Sequence, residues 1–303
     1  MGQPLDKKQA VLYGKCVNAA YTLFARDRTQ LEPEPGDQDI PDPYELVAWL
    51  NMADFILFDE TPKFYGFIAR NKNDRHDFIL AIRGTEGWME WFDDAEIHPV
   101  PFTQVPDCGH VSYGFDRIYS SLQVIRRDRA ADGAMRAAAP TATRRMSGSF
   151  AQQLEQLADS LEEPDVQARM RLAPEARPRR SFTVTGHSLG AALATLFVIE
   201  NKDKKKFDIT TSCTFASPRV GNTEFVRAFH ELPINSWRIF NEQDIVPKIP
   251  FSLPLVADYQ HVNDPYSFSS HDFVKWNPVC WHSMLTYLHW LDESIAVLDK
   301  CRK

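Results

Sequence analysis

A chain of 303 residues with 13 Gly, 20 Pro, 5 Cys and 44% hydrophobic residues is neither a disordered tail, a collagen-like repeat nor a small disulfide scaffold. Folded as one unit, it removes about three quarters of its unfolded surface from water, which leaves core enough to bury polar machinery. Its 34 Lys and Arg against 41 Asp and Glu give a formal charge of -7, so there is no general attraction to phosphate backbones and nucleic acid is not an expected partner.

Met1 to Ala10 alternates polar and charged residues without an apolar h-region, and the longest apolar run, Ala191 to Ile199, is too short to span a bilayer. The expectation is a soluble protein with no transmembrane segment, cytoplasmic for want of a signal peptide, with leaderless or alternative-route secretion as the other possibility. The five cysteines (Cys16, Cys108, Cys213, Cys280, Cys301) are scattered and form no metal-ligand spacing. They read as free thiols in a reducing compartment.

From Asp6 to Arg26, Val11, Val17, Tyr21 and Phe24 recur at near-helical spacing, which predicts an amphipathic helix. Asp42 and Pro43 have the form of an N-cap and first helical position and predict a short helix through Leu50. Two β-rich runs, Phe64 to Arg70 and Phe78 to Arg83, are separated by the turn former Asn71-Lys72-Asn73-Asp74 and predict a hairpin. Arg126 to Arg180 departs in composition, with 11 Arg, an Ala-rich tract and several Pro. Within it Phe150, Leu154, Leu157 and Leu161 mark one helix ending near Pro164; the remainder reads as an exposed insertion. Beyond it strand, helix and strand alternate, and an apolar 284, 288, 291, 295, 298 stripe predicts a closing helix from Ser283 to Leu298. That alternation argues an α/β layered fold, read as one domain over 1–303 with an Arg/Ala/Pro-rich insertion at about 126–180.

Phe182-Thr-Val-Thr185 is a β-branched strand that runs into Gly186-His187-Ser188-Leu189-Gly190 and then into an Ala/Leu helix. This is G-x-S-x-G in its strand-turn-helix setting, a pattern that composition alone would produce roughly 0.03 times in such a chain. Gly186 and Gly190 belong there because a strained turn that lifts Ser188 clear leaves no room for neighbouring Cβ atoms. A serine hydroxyl needs a histidine base oriented by a carboxylate, here expected in the order Ser, acid, His. Ser236 to Asn241 reads as a strand, and the loop after it offers Glu242 and Asp244 as the acid. Downstream lie His261, His271, His282 and His289, of which His282 precedes the final helix and His271 is the rival; position alone leaves both open. An oxyanion hole needs two backbone amides: Leu189 follows the nucleophile, and Gly84 permits a turn that would aim the Thr85 amide inward. Trp88, Met89, Trp91 and Phe92 alternate with acids just beyond, as in a movable amphipathic cover or a short helix packed permanently on the core.

These residues resemble the class 3 lipases, the α/β-hydrolase group that contains fungal triacylglycerol lipases and plant acyl-lipid hydrolases. Six blocks carry the resemblance in order: Ala81-Ile-Arg-Gly-Thr85 with Trp91 and Asp94; Gly114-Phe115 with Tyr119; Gly186 to Gly190; Thr214 to Asn222; Asn241 to Pro247; and His282 with Tyr287-Leu288-His289. The resemblance implies a mostly parallel central sheet with an antiparallel N-terminal hairpin and helices on both faces. Matched residue by residue, it implies Ser188 as nucleophile, Asp244 as acid, His282 as base, and Thr85 and Leu189 as the oxyanion residues. Asp94 then supports Thr85, and Trp91 packs as an anchor. The implied activity is hydrolysis of acyl-lipid esters through an acyl-enzyme, with no metal or organic cofactor and with transient contact at a lipid interface. The alternatives are a small-ester or feruloyl-type esterase, a phospholipase A or galactolipase, and a non-catalytic lipid-binding member. Ala191 where many members have Gly, Ser112 in place of a usual His, and the length of the insertion depart from the family pattern. Fungal-type disulfides are also expected to be missing.

Overall fold

Alternate residues of the central strands feed two separate apolar layers, one on each face of a single sheet. In β3 (Asp77–Ile82), Phe78, Leu80 and Ile82 enter one layer while Ile79 and Ala81 enter the other, the period-2 consequence of strand geometry. The computed structural model describes residues 4–53, 61–85, 97–128, 144–173, 178–202, 207–250, 258–262, 265–295 and 297–303. Among these, the strands are β1 (Tyr44–Ala53), β2 (Pro62–Asn71), β3, β4 (Pro99–Pro101), β5 (His110–Ser112), β6 (Gln123–Arg126), β7 (Ser181–His187), β8 (Asp208–Phe215), β9 (Asn235–Asn241) and β10 (Pro265–Phe268). The described sheet has eight strands in the order β10-β9-β8-β7-β3-β2-β1-β6, with β4 and β5 paired apart from it. β3, β7, β8, β9 and β10 run parallel, whereas β2, β1 and β6 are added antiparallel. Parallel strands bring their C-terminal ends to one edge, where α/β folds gather functional groups.

One face carries α1 (Lys7–Arg26), capped by the Asp6 carboxylate, together with a C-terminal helix at Met284–Leu291. The other carries α2 (Tyr113–Ser120), α3 (Phe150–Ser160), α5 (Leu189–Glu200) and α6 (Thr223–His230). A fourth helix, α4 (Pro164–Leu172), follows α3; α7 (Pro278–Trp281) and α8 (Met284–Leu291) close the chain. α5 is buried on every side, as its unbroken Ala/Leu composition requires. The Glu200 carboxylate at its end accepts Tyr119 Oη at 2.6 Å and the Ala151 amide at 3.1 Å, joining α2 and α3 to it. Burial, then the Glu200 charge, pushes the Tyr119 hydroxyl well above its ordinary pKa and keeps it a donor.

The predicted N-terminal helix and the β2-β3 hairpin are present, and four expectations need correction. Residues 44–53 form β1 instead of a helix. The cap-like Asp42-Pro43 introduces a segment buried on both sides, with Val47 at a register shift so that it shares a layer with Ala48. Leu46 to Leu50 is apolar throughout, and between β2 and β6 the backbone groups of the segment find partners on both edges. The last helix stops at Leu291, because Asp292 accepts from the Ser294 amide (2.9 Å) and hydroxyl (2.7 Å); such local bonds compete with helix continuation. Ile295 and Leu298 still pack inward, but from a turn.

The helix predicted over Phe150 to Leu161 is present as α3, with Phe150, Leu154 and Leu157 in the core; the remainder of the Arg-rich stretch is only partly exposed. Arg180, 2% exposed, bonds to Asp159 at 2.7 Å and Glu162 at 3.2 Å, so its charge is compensated where it is buried. Residues 129–143 and 174–177 lie outside the described residues. Finally, Cys280 and Cys301 form a disulfide, while Cys16, Cys108 and Cys213 are buried free thiols. The 21-residue separation had hidden a bridge that becomes short once the tail folds back beside Phe273 to Lys275. No helix among the described residues is long and apolar enough to cross a membrane.

If α3 is core and not appendage, Leu154→Ala should cost about 2–5 kcal/mol, measured as a fall in unfolding free energy by urea titration. A loss under about 0.5 kcal/mol, the scale of a surface change, would contradict this packing.

Candidate active site

β7 ends at His187 and α5 starts at Leu189, so Ser188 makes the whole reversal. Its backbone has φ 57° and ψ -126°, a left-handed conformation unusual for a side chain with a Cβ. The amide of Ser188 donates to Phe215 O at 3.0 Å on β8, and its carbonyl accepts from Ala191 N at 2.9 Å. A Cβ on Gly186 would come within 2.3 Å of Gly190 O, and one on Gly190 within 2.4 Å of Ile82 O and 2.5 Å of Arg83 O. Both glycines are therefore demanded by close backbone approach.

The acid and base arrive from two other segments. The carbonyl of Asn241, at the end of β9, accepts the Asp244 amide at 3.0 Å. Asp244 Oδ1 accepts the Val246 amide at 3.0 Å, while Oδ2 accepts Tyr287 Oη at 2.7 Å and His282 Nδ1 at 2.7 Å. His282 Nε2 lies 2.8 Å from Ser188 Oγ. Because the carboxylate accepts at Nδ1, the proton of the neutral ring sits there and the Nε2 lone pair faces the serine. Burial, then the Asp244 charge, raises the Tyr287 hydroxyl far above its ordinary pKa, so it remains a donor. His282 is held by its turn: Asn277 caps α7, the His282 amide donates to Pro278 O, and Asn241 Nδ2 donates to Trp281 O at 2.9 Å. The Cys280–Cys301 bridge fastens the same turn to the chain's tail.

Ser188, Asp244 and His282 are 0%, 1% and 4% exposed, and Thr85 and Leu189 are buried as well. The Thr85 and Leu189 amides have no backbone acceptor among the described residues. Glu242, the rival acid, is exposed. His271 is exposed, and its ring meets its neighbour Asp272 at 3.2 Å. His261 is tied to Pro247 O through Nε2 at 2.6 Å, and burial, then the Arg238 charge, takes its pKa down to about 3. His289 packs in α8 against Phe273. Geometry thus brings Asp244 and His282 into line with Ser188 and leaves Glu242 and His271 outside that line. Asp94, Trp88, Met89, Trp91 and Phe92 lie outside the described residues.

Three contacts were not foreseen. The Tyr287 bond to Asp244 and the Asn241 support of the His282 turn fall in blocks that the family pattern picks out, although no spacing rule assigns them roles. Tyr21 of α1 lies 2.8 Å from His187 Nδ1 and had no sequence signal beyond its helical stripe. His187 itself is kept neutral: burial, then the neighbouring His282 ring 4.6 Å away, holds it well below the usual histidine range. A cavity of about 690 Å³ lined by Arg179, Lys202, Phe207 and Ile234 opens at the opposite, N-terminal ends of β7 to β9. It holds no nucleophile-base pair and is not the site.

The profile of the family described as Lipase (class 3) matches residues 79–253. Phospholipase A1-II 1 of Oryza sativa is 28% identical over 265 residues, covering 82% of this chain and 59% of the rice protein. The chain therefore spans somewhat under two thirds of that relative's length. Secreted mono- and diacylglycerol lipase 1 of Fusarium solani is 36% identical over 103 residues, 34% of this chain and 29% of that protein. Among solved structures, the Yarrowia lipolytica LIP2 lipase superposes with a TM-score of 0.55 at 19% identity, over 91% of this chain and 83% of that one. At that identity the likeness establishes the fold, an α/β-hydrolase.

Two neutral histidines, His187 buried and His261 half-buried, make stability pH-dependent with a definite sign. Unfolded, His187 and His261 take up a proton below about pH 6.5, while the folded state resists doing so, so folding weakens as pH falls. For His261 the window runs from there down to about 3. Each histidine contributes about 1.4 kcal/mol per pH unit inside its window. In urea titrations between about pH 7.5 and 5.5, His261→Gln should show a shallower loss than wild type; equal slopes would show that His261 is not held neutral.

Proposed function

This chain belongs to the class 3 lipase family, and we propose that it is a serine carboxylic ester hydrolase acting on acyl lipids. The observation that carries the reading is the unbroken chain of bonds from Ser188 Oγ through His282 to Asp244. As Oγ attacks the acyl carbonyl, His282 Nε2 takes its proton and Asp244 stabilises the resulting imidazolium. The oxyanion forms against the amides of Thr85 and Leu189, the second of which opens α5 and benefits from the helix's positive end. Collapse breaks the ester bond, and His282 returns the proton to the departing alcohol. Water, deprotonated by the same nitrogen, then hydrolyses the acyl-enzyme.

The burial of Ser188 supports an access step, since a bulky acyl ester has to reach Oγ. A phospholipid is the second reading, favoured by the phospholipase A1 names of plant relatives that match 82% of the chain. The disulfide favours an oxidising compartment over the cytoplasm.

Ser188→Ala should abolish nearly all turnover while leaving the fold intact, and a fluorophosphonate should label the Ser188 peptide once per chain. His282→Ala should cost several powers of ten in kcat, His271→Ala less than about tenfold; the reverse result would reject the assignment of the base. A panel of p-nitrophenyl esters of rising chain length, with phospholipid vesicles beside it, separates lipase, esterase and phospholipase.

A further inference from the structure

Gly84 joins β3 to Thr85, and both polar groups of its backbone are held by side chains. Its amide donates to Tyr21 Oη at 2.8 Å, and its carbonyl accepts from Arg83 Nη1 at 2.7 Å. The first partner comes from α1, 63 residues earlier. The same Tyr21 oxygen lies 2.8 Å from His187 Nδ1, which ties it to the turn that carries Ser188. The second partner is equally fixed. Arg83, 1% exposed, has its guanidinium 3.5 Å from the Phe24 ring centre and 4.1 Å from that of Tyr65, and its Nε donates to Phe64 O at 2.9 Å. A planar fork held between two rings and bonded at Nε has little freedom left.

The peptide between Gly84 and Thr85 is trans, the cis bonds being Asp42-Pro43 and Ile249-Pro250. In a trans peptide the carbonyl and the following N–H point in opposite directions. Fixing Gly84 O on Arg83 therefore fixes the direction of the Thr85 N–H, and a cation on that oxygen polarises the amide and strengthens it as a donor. The peptide also abuts the nucleophile: a Cβ on Gly84 would stand 2.8 Å from Ser188 Cβ and 2.7 Å from Tyr21 Oη.

We propose that Arg83 and Tyr21 are positioning residues that clamp Gly84 from its two sides, Tyr21 through the N–H of the peptide before it and Arg83 through the carbonyl of the peptide after it, and so set the donor Thr85 presents to the oxyanion. The inference rests on the role given to Thr85 above. It makes α1, far away in sequence, part of the apparatus that stabilises the transition state.

The test uses Tyr21→Phe, which keeps the ring and drops the hydroxyl, and Arg83→Lys, which keeps the charge and drops the fork. Soluble p-nitrophenyl butyrate gives kcat and KM, and a trifluoromethyl ketone, whose adduct with serine carries the oxyanion, gives an inhibition constant. Losing an oxyanion donor outright costs roughly 10²–10³-fold in kcat, so misaligning one should cost about tenfold. KM should stay within about twofold, and the inhibition constant should rise by the same factor as kcat falls, since both report transition-state binding. The clamp is overturned if either variant, folded by circular dichroism, keeps wild-type kcat and inhibition, or loses kcat without weakening the inhibitor. Should Arg83→Lys not fold, Arg83→Gln is read in its place. Fluorophosphonate labelling separates the two levels: no label on wild-type Ser188 sinks the reading of the site, whereas normal labelling with unaltered Tyr21→Phe kinetics sinks the clamp alone.

Discussion

Backbone crowding at the end of β7 is the constraint on which the rest of the structure depends. Three segments, 82–84, 186–188 and 189–191, approach so closely that Cβ atoms on Gly186 and Gly190 would stand 2.3–2.5 Å from backbone atoms of their neighbours. Within that space Ser188 adopts φ 57°, a conformation that costs on the order of 1–3 kcal/mol and persists only where surroundings over-determine it. The surroundings here are β3 and β8 on either side of β7, with a wholly buried α5 behind. A rigid sheet and a rigid helix leave the serine one position, and that position is within reach of His282 Nε2.

The same rigidity permits charge to be buried. Asp244 sits at 1% exposure because three donors, the Val246 amide, Tyr287 Oη and His282 Nδ1, converge on its two oxygens. Isolated carboxylates do not survive such burial, but fully bonded ones do. Tyr287 also receives the Asn241 amide at 3.1 Å, and Asn241 reaches both Ser270 Oγ and Trp281 O. The loop with the acid, the turn with the base and α8 thus share one buried hydrogen-bonded unit. The disulfide fastens the outer side of that unit to the chain's end.

Legibility in the sequence followed the range of the interactions. The G-x-S-x-G elbow, the β2-β3 turn and the alternating runs of β3 and β7 were readable because crowding, turn chemistry and period-2 burial act between residues near in sequence. Residues 44–53 were misread for the converse reason. The Asp42-Pro43 signal is local, but what makes the segment a strand is burial on both faces between β2 and β6, which no local window contains. The closing helix was overextended because its apolar stripe continues through Ile295 and Leu298, while the Asp292 side chain ends the helix with bonds to Ser294.

By itself the sequence determined the α/β layering, the elbow that carries Ser188 and the short roster of acids and histidines that follow it. That Asp244 and His282, and not Glu242 and His271, lie bonded in line with Ser188 was decided by three-dimensional proximity. The Cys280–Cys301 bridge, the Tyr287 bond to Asp244 and the Tyr21 and Arg83 hold on Gly84 were decided only by the tertiary structure. Each joins residues whose partnership depends on distance through space and on loss of water, and these come into being only when the sheet stacks its strands and the helices close over it.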